Sequence, residues 1–334
     1  MGRYPLRTRI EAYMGANKEY LAEETLTERQ RKLLAFAKRY EKICKTNPDF
    51  KGDPAKWGEK EIIAIILDTK GRGWSLETQA KELGNVQALL RFVGNGTLDK
   101  MRTSKPYMFP RRSPTRGPSL NGEELSRIFK AAQEVGGWMG EVALMVMATL
   151  AYTGLRPGEL RKAEVKDLDL TTWTLRVAHP KGESSYGKYR VAPIPDPLRP
   201  IVLRYLRARD RMLAEKGVVD AKPLICSIRR PGEFYSSKHM RHLKKTVSER
   251  SGIAFELRTL RRTYGQTLLD RKVPLETVSL ALGHASTRTT ETYYCRKDAD
   301  SARLEILRAF EGPATGPSAE NPLIERDTDY TGYV

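Results

Sequence analysis

The stretch TGLRPGEL, residues 153–160, comes directly after VALMVMATLAY (142–152), the longest apolar run in the chain. That run reads as a buried helix, and it falls short of the roughly 20 residues needed to span a bilayer. Thr153 and Gly154 end the helix, because glycine permits the sharp turn that closes a helical C-terminus. Arg156 is therefore presented at a turn and not inside a helix body. Pro157 starts a new segment, and Glu159 can orient Arg156. Taken alone, an Arg-Glu pair at a surface is worth only about 0–1 kcal/mol. Its meaning depends on the segments further along the chain.

Three of those segments carry chemistry. TWTLRVAHPKGESSYGKYRVAPIP (172–195) alternates apolar and polar residues on both sides of a Lys-Gly-rich turn, which predicts a hairpin with Lys181 and Lys188 near its tip. LRTLRRTYGQTLL (257–269) predicts a helix in which Arg258 and Arg261, three residues apart, share a face while Arg262 points about 100 degrees away. LALGHASTRTTETYY (280–294) places His284 after the Leu-Gly of a helix end and closes on two adjacent tyrosines. Neighbouring side chains on a helix differ by about 100 degrees, so only one of Tyr293 and Tyr294 can face a common site.

In this order and with these gaps, the segments resemble the tyrosine recombinase or phage integrase family. That family carries an Arg in TGLRxxEL, a hairpin Lys, an HxxR box, LGH and a nucleophilic Tyr. The resemblance covers about residues 119–312. It implies a mainly α fold with a small antiparallel β-sheet, built as a helical core-binding domain plus a mixed α+β catalytic domain. It also implies a set of roles. Arg156 and Arg261 grip one phosphate, and Lys181, with Lys188 in reserve, protonates the leaving 5′ oxygen. His284 donates a hydrogen bond to the scissile phosphate, and Tyr293, nine residues beyond His284 in the TTxxY pattern, is the nucleophile in preference to Tyr294. At one position the chain departs from the family: Arg258 stands where His is common. Histidine exchanges a proton near neutral pH, whereas arginine stays charged and can only stabilise or position.

The chemistry is consistent with these residue types. A phosphodiester gains negative charge on its nonbridging oxygens when attacked, and guanidinium groups hold such oxygens through paired, charge-assisted hydrogen bonds. A lysine beside several guanidiniums has its pKa lowered and can act as a general acid. Because one phosphodiester is exchanged for another, the expected reaction needs neither ATP nor a metal, and no cofactor is expected. Two alternatives stay open on the sequence: a catalytically altered DNA-binding protein of recombinase descent, and a type IB topoisomerase-like relaxing activity.

Outside the catalytic region, TERQRKLLAFAKRYEKICK (27–45) is amphipathic, with Thr27 and Gln30 at capping-box spacing. EKEIIAIILDTKG and 75–95 predict two more helices, the second opened by Ser75. The expected organisation is an N-terminal arm at 1–17, a helical DNA-binding domain at 18–104 and a basic, proline-rich linker at 105–118. A catalytic domain at 119–312 and a flexible Gly-, Pro- and acid-rich tail at 313–334 complete it. Ser119 or Asn121 is expected to cap the first catalytic-domain helix. Further helices are expected at 197–215, 237–250, 258–272, 274–283, 286–296 and 299–311.

Composition points the same way. The 334 residues exceed most single hydrophobic cores. With 59 basic against 41 acidic residues and a net charge of +18, a polyanionic partner is expected, since each phosphate neutralised releases counterions. The three cysteines form no CxxC, and HMRH (239–242) has no second ligand pair at zinc spacing, so neither a disulfide framework nor a structural zinc site is indicated. No signal-peptide core is visible at the N-terminus. The family resemblance implies a double-stranded DNA recombination site as partner, bound by a tetramer spanning two sites, with the two domains clamped around DNA as a C shape and the C-terminal tail exchanged between neighbours. The expected location is the cytoplasm.

Overall fold

The computed structural model describes residues 5–111, 117–180, 189–284 and 286–294, with 292–294 described as backbone only. The chain forms two compact units, Met1–Pro114 and Thr115–Val334. The division falls inside the proline-rich stretch read as a linker.

Among its described residues the first unit is all-helical, with α1 (Pro5–Ala16), α2 (Glu23–Thr46), α3 (Glu59–Gly71), α4 (Leu76–Phe92) and α5 (Thr97–Ser104). Residues 5–16, within the stretch read as an arm, are not separate from this unit. Leu6, Ile10, Tyr13 and Met14 recur at helical spacing and are buried in the core of this unit, so α1 belongs to it. Arg7, half-buried, and Arg9, exposed, lie off this apolar stripe. Likewise α2 begins one turn before Thr27, with Glu23 and Glu24 in its first turn, where acidic side chains complement the helix dipole. Ser75 caps α4 as expected, its hydroxyl accepting from the Thr78 amide at 3.3 Å.

The second unit is built around α7 (Gly137–Thr153), whose residues from Val142 to Ala151 are all buried. Each large aliphatic side chain enclosed in this way contributes about 1.5–3 kcal/mol, which makes the helix a rigid post. α6 (Gly122–Glu134), α9 (Arg199–Glu215), α10 (Ser237–Ser251) and α11 (Leu257–Asp270) pack against it. Of the two expected caps for α6, Asn121 is the one used: its side chain accepts from the Glu124 amide at 2.8 Å and its amide donates back to Glu124 Oε2 at 2.8 Å, a capping box.

The predicted hairpin is present as β2 (Thr174–Val177) and β3 (Arg190–Pro193). A short strand, β1 (Leu168–Asp169), extends it to an antiparallel sheet of order β1-β2-β3. Leu175 pairs with Ala192 and Val177 with Arg190. The short α8 (Pro157–Arg161), α12 (Leu275–Leu282) and α13 (Thr287–Tyr294) complete the unit. The fold is mainly α with a small antiparallel sheet. The hairpin tip, the helix expected at 299–311 and the tail lie outside the described residues.

Candidate active site

Two left-handed glycines create the site. Gly154 ends α7 at φ +64, and Gly283 ends α12 at φ +62. Both turns are sterically committed to glycine. A Cβ on Gly154 would lie 2.3 Å from the Tyr264 ring, and one on Gly283 would lie 2.9 Å from the Arg190 guanidinium. The carbonyls around them, at helix C-termini, lack intrahelical partners and carry the negative end of the helix dipole, so they attract cationic donors.

Arg261 of α11 fills that role. It is 6% exposed and donates from Nη1 to the Gly154 carbonyl and from Nη2 to the Leu282 carbonyl, tying the two turns together. The same Nη2 lies 3.3 Å from His284 Nε2.

Arg156 has extended backbone geometry at the N-cap of α8, with Pro157 at the first helical position. Its Nη1 donates to Glu159 Oε1 at 2.7 Å, its backbone amide to Glu159 Oε2 at 2.8 Å, and its Nη2 to the Gly283 carbonyl at 3.1 Å. With 28% of its side chain exposed, it is the guanidinium of the cluster best placed to be reached by an incoming anion.

Glu159 is the shared anchor. It is 4% exposed and accepts from Arg156 and also from Arg190, whose Nη2 is 2.7 Å and Nη1 3.3 Å away. Burial opposes its ionisation, but the hydrogen bonds and charge of Arg190, joined by those of Arg156, outweigh it and hold the carboxyl down at about 2. Arg190 also donates from Nε to the Ala281 carbonyl at 3.1 Å, so β3, the TGLR turn and the LGH turn meet at one carboxylate.

His284 is half-buried. Its Nδ1 lies 2.8 Å from the hydroxyl of Thr290 on α13. Burial, followed by the positive charges of Arg261, Arg156 and Arg190, pushes its pKa down to about 4, so the ring is neutral at physiological pH. Three guanidiniums against one carboxylate leave a net positive, preorganised basin lined by N–H donors. That arrangement can stabilise the charge that develops on a phosphoryl group under attack.

The structure thus brings together Arg156, Arg261 and His284. Arg258 does not join them. It is exposed in the first turn of α11 and makes no hydrogen bond or ion pair with another described residue. Sharing a helix face with Arg261 was not enough, because α11 meets the two glycine turns one turn further along. Tyr293 and Tyr294 form the end of α13, and their side chains lie outside the described residues, as do Lys181 and Lys188.

Arg190 was missed by motif reading, although the strand pattern held a signal. Ala192 and Ile194 are buried while Val191 is 59% exposed, so Arg190 falls on the inward register. An arginine in phase with the core residues of a strand needs a buried partner, and Glu159 is that partner. Thr290, fully buried, was also missed.

A family model described as the phage integrase family matches residues 118–300. Tyrosine recombinase XerA of Pyrococcus furiosus is 26% identical over 238 residues, covering 70% of this chain and 75% of the relative. Tyrosine recombinase XerD of Bifidobacterium longum is 28% identical over 249 residues, covering 72% and 78%. Among solved structures, XerH site-specific recombinase bound to its difH substrate in a pre-cleavage complex shares the fold, with a TM-score of 0.67 at 17% identity over 93% of this chain and 98% of the other. A lambda integrase dimer bound to a COC′ core site shares it with a TM-score of 0.54 at 18% identity, over 88% and 99%. The family match covers more than half of the chain and spans every motif from TGLR to the paired tyrosines, so the chain belongs to the phage integrase family and is a tyrosine recombinase, an enzyme of site-specific DNA strand breakage and rejoining.

Proposed function

We propose that the chain cleaves and rejoins a DNA recombination site through a 3′-phosphotyrosyl intermediate, with Tyr293 as the nucleophile. The observation that carries this reading is the convergence of Arg156, Arg261 and His284 on the Gly283 turn, Arg156 reaching it from 127 positions away in the sequence. In the proposed reaction the Tyr293 oxygen attacks the phosphorus, and Arg156 and Arg261 hold the nonbridging oxygens as charge builds on them. His284 donates a further hydrogen bond from Nε2. The 5′ oxygen leaves with a proton supplied by Lys181, or by Lys188 in its place. Arg258, exposed at the start of α11, adds positive charge toward the incoming DNA but exchanges no proton, so the phenolic proton leaves to water. A 5′ hydroxyl from the partner duplex then attacks the phosphotyrosine and reverses the step.

Strand exchange of this kind needs two duplexes. The working assembly in this reading is a tetramer on two sites, with the C-terminal tail exchanged between neighbours and the protein located in the cytoplasm beside its DNA. The net charge of +18 and the DNA-bound state of the XerH and lambda integrase structures support double-stranded DNA as the partner.

The test begins by sequencing the DNA ends covalently attached to the chain in cells, which defines the site. A nicked duplex of that sequence, built so that religation is impossible, should then trap a protein-DNA adduct that disappears in Tyr293→Phe. Absence of any adduct would leave a noncatalytic DNA binder. An adduct that persists in Tyr293→Phe and vanishes in Tyr294→Phe would move the nucleophile by one residue. Relaxation of supercoiled DNA by single protomers, with no joining of paired sites, would mark a topoisomerase-like activity.

A further inference from the structure

The geometry points to Thr290 as a positioning residue that lets His284 exchange tautomers when a DNA phosphate enters the site. This role rests on the reading that His284 donates to the scissile phosphate.

Two of the contacts of His284 bear on the state of its imidazole without DNA. Arg261 Nη2 can only donate, so His284 Nε2, 3.3 Å away, is the acceptor of that contact. In a neutral ring the proton then resides on Nδ1, and the partner 2.8 Å from Nδ1 is the Thr290 hydroxyl, which accepts it. This is the wrong tautomer for catalysis, because an unprotonated Nε2 cannot donate to a phosphate oxygen. When a phosphate oxygen becomes the partner of Nε2, the ring must carry its proton there and leave Nδ1 as an acceptor. The half-buried ring turns transiently out of the Thr290 contact, loses its Nδ1 proton to water and takes one from water at Nε2, so the net charge is unchanged. The group opposite Nδ1 must then reverse from acceptor to donor.

A hydroxyl can do this by rotating about its C–O bond. A carboxylate or a backbone carbonyl, which only accept, would hold the proton on Nδ1. Thr290 is fully buried, so no solvent hydroxyl stands in for its own. It also lies on α13 three residues ahead of Tyr293, so the bond that accommodates the imidazole ties the helix of the nucleophile to the LGH turn.

The test uses the full chain, the duplex site defined by the adduct mapping, and two variants. Thr290→Ser keeps the hydroxyl, and Thr290→Val replaces it with a methyl group. Single-turnover cleavage should fall about 10- to 100-fold in Thr290→Val, short of the roughly 100- to 1,000-fold expected for loss of a transition-state donor itself. Thr290→Ser should stay within a few-fold of the parent, and duplex affinity should be unchanged in both. Nitrogen-15 spectra of histidine-labelled protein supply the second readout, with Tyr293→Phe in the background to hold the uncleaved complex. The His284 resonance should report Nδ1–H without DNA and Nε2–H with the duplex, and Thr290→Val should prevent the exchange. Equal cleavage by Thr290→Val and the parent would overturn the proposal, as would a tautomer that does not change when the duplex binds. A parent chain that forms no adduct would instead remove the recombinase reading on which the proposal depends.

Discussion

Arg261 and Arg258 stand three residues apart on one helix and occupy opposite kinds of environment. Arg261 lies in a slot between the C-terminal ends of α7 and α12, where unpaired carbonyls and helix dipoles favour a cation, and its guanidinium is held by both. Arg258 sits in the first turn of α11, at the end of the helix where the dipole disfavours a cation, and it faces solvent. In the proposed reaction the first is a preorganised charge that needs no reorientation as the transition state forms. In the same reading the second attracts DNA through a screened field and is ordered only by the complex. The cluster of Arg156, Glu159, Arg190, Arg261 and His284 belongs with the first kind.

The largest effect is therefore expected from the buried side. Arg261→Ala should lower single-turnover cleavage by at least about 100-fold, as loss of a fixed oxyanion donor does. It should also leave the Gly154 and Leu282 carbonyls unsatisfied, at roughly 1–3 kcal/mol each. Cleavage kinetics and denaturant unfolding measure the two effects separately. If cleavage falls and stability does not, Arg261 is not the brace between the two turns.

Glu159 is the next test, and pH separates it from His284. The folded carboxylate titrates at about 2 against an ordinary 4.5, so its contribution to stability is complete above pH 4.5 and is lost as pH falls toward 2. The size of that shift corresponds to about 3 kcal/mol. His284, lowered to about 4 from 6.5, resists protonation that the unfolded chain accepts, so stability also falls as pH drops from 6.5 toward 4. The two windows overlap only between about pH 4 and 4.5. In unfolding measurements across pH, His284→Gln should remove the upper loss and Glu159→Gln the lower. Glu159→Gln should also destabilise the protein near neutrality by about 3 kcal/mol, because two guanidiniums then face a neutral amide. A Glu159→Gln chain as stable as the parent at pH 7 would show that the Arg156-Arg190 pair is held by its other partners.

Much of this was legible in the sequence, and where it was not the reasons are specific. The TGLR turn, the hairpin, the Arg261 helix and the LGH turn could be read because each combines a helix stop or strand alternation with a distinctive polar residue. The spacing of Leu6, Ile10, Tyr13 and Met14 inside the stretch expected to be an arm escaped notice, because one short stripe without a capping signal is a weak helix pattern. Arg190 escaped because its partner, Glu159, lies 31 residues away, and no local rule pairs an inward strand position with a helix N-terminus. The same limit applies to Arg258: spacing gives the face of a helix, while the packing of the neighbouring elements decides how much of that face is covered.

A smaller effect is expected at the glycine that makes the slot. Gly154→Ala adds a Cβ at φ +64, against the ring of Tyr264. The left-handed conformation costs an L-residue roughly 1–2 kcal/mol, and the displaced ring adds overpacking. Destabilisation of about 2 kcal/mol in denaturant unfolding is the expected result, with cleavage impaired through the shifted Gly154 carbonyl. Normal stability would mean that the ring can move and that the slot is softer than the burial of Arg261 implies.

Arg258→Gln should have the smallest effect and bears most directly on the contrast. A rim charge that meets one phosphate should reduce the slope of log affinity against log salt by about 0.9, with affinity nearly unchanged at high salt. Cleavage at saturating DNA should fall no more than about tenfold, because the group is not fixed before DNA arrives. Arg258→His sharpens the test, since histidine is common in the family at this position and can exchange a proton. If the position touches only the DNA backbone, Arg258→His behaves like Arg258→Gln once its charge is titrated away above about pH 6.5. If it faces the phenol of the nucleophile, Arg258→His instead gains a pH-dependent cleavage rate that Arg258→Gln lacks. A collapse of cleavage in Arg258→Gln to the level of Arg261→Ala would place both arginines in one functional class. The exposure of Arg258 would then describe only the DNA-free state.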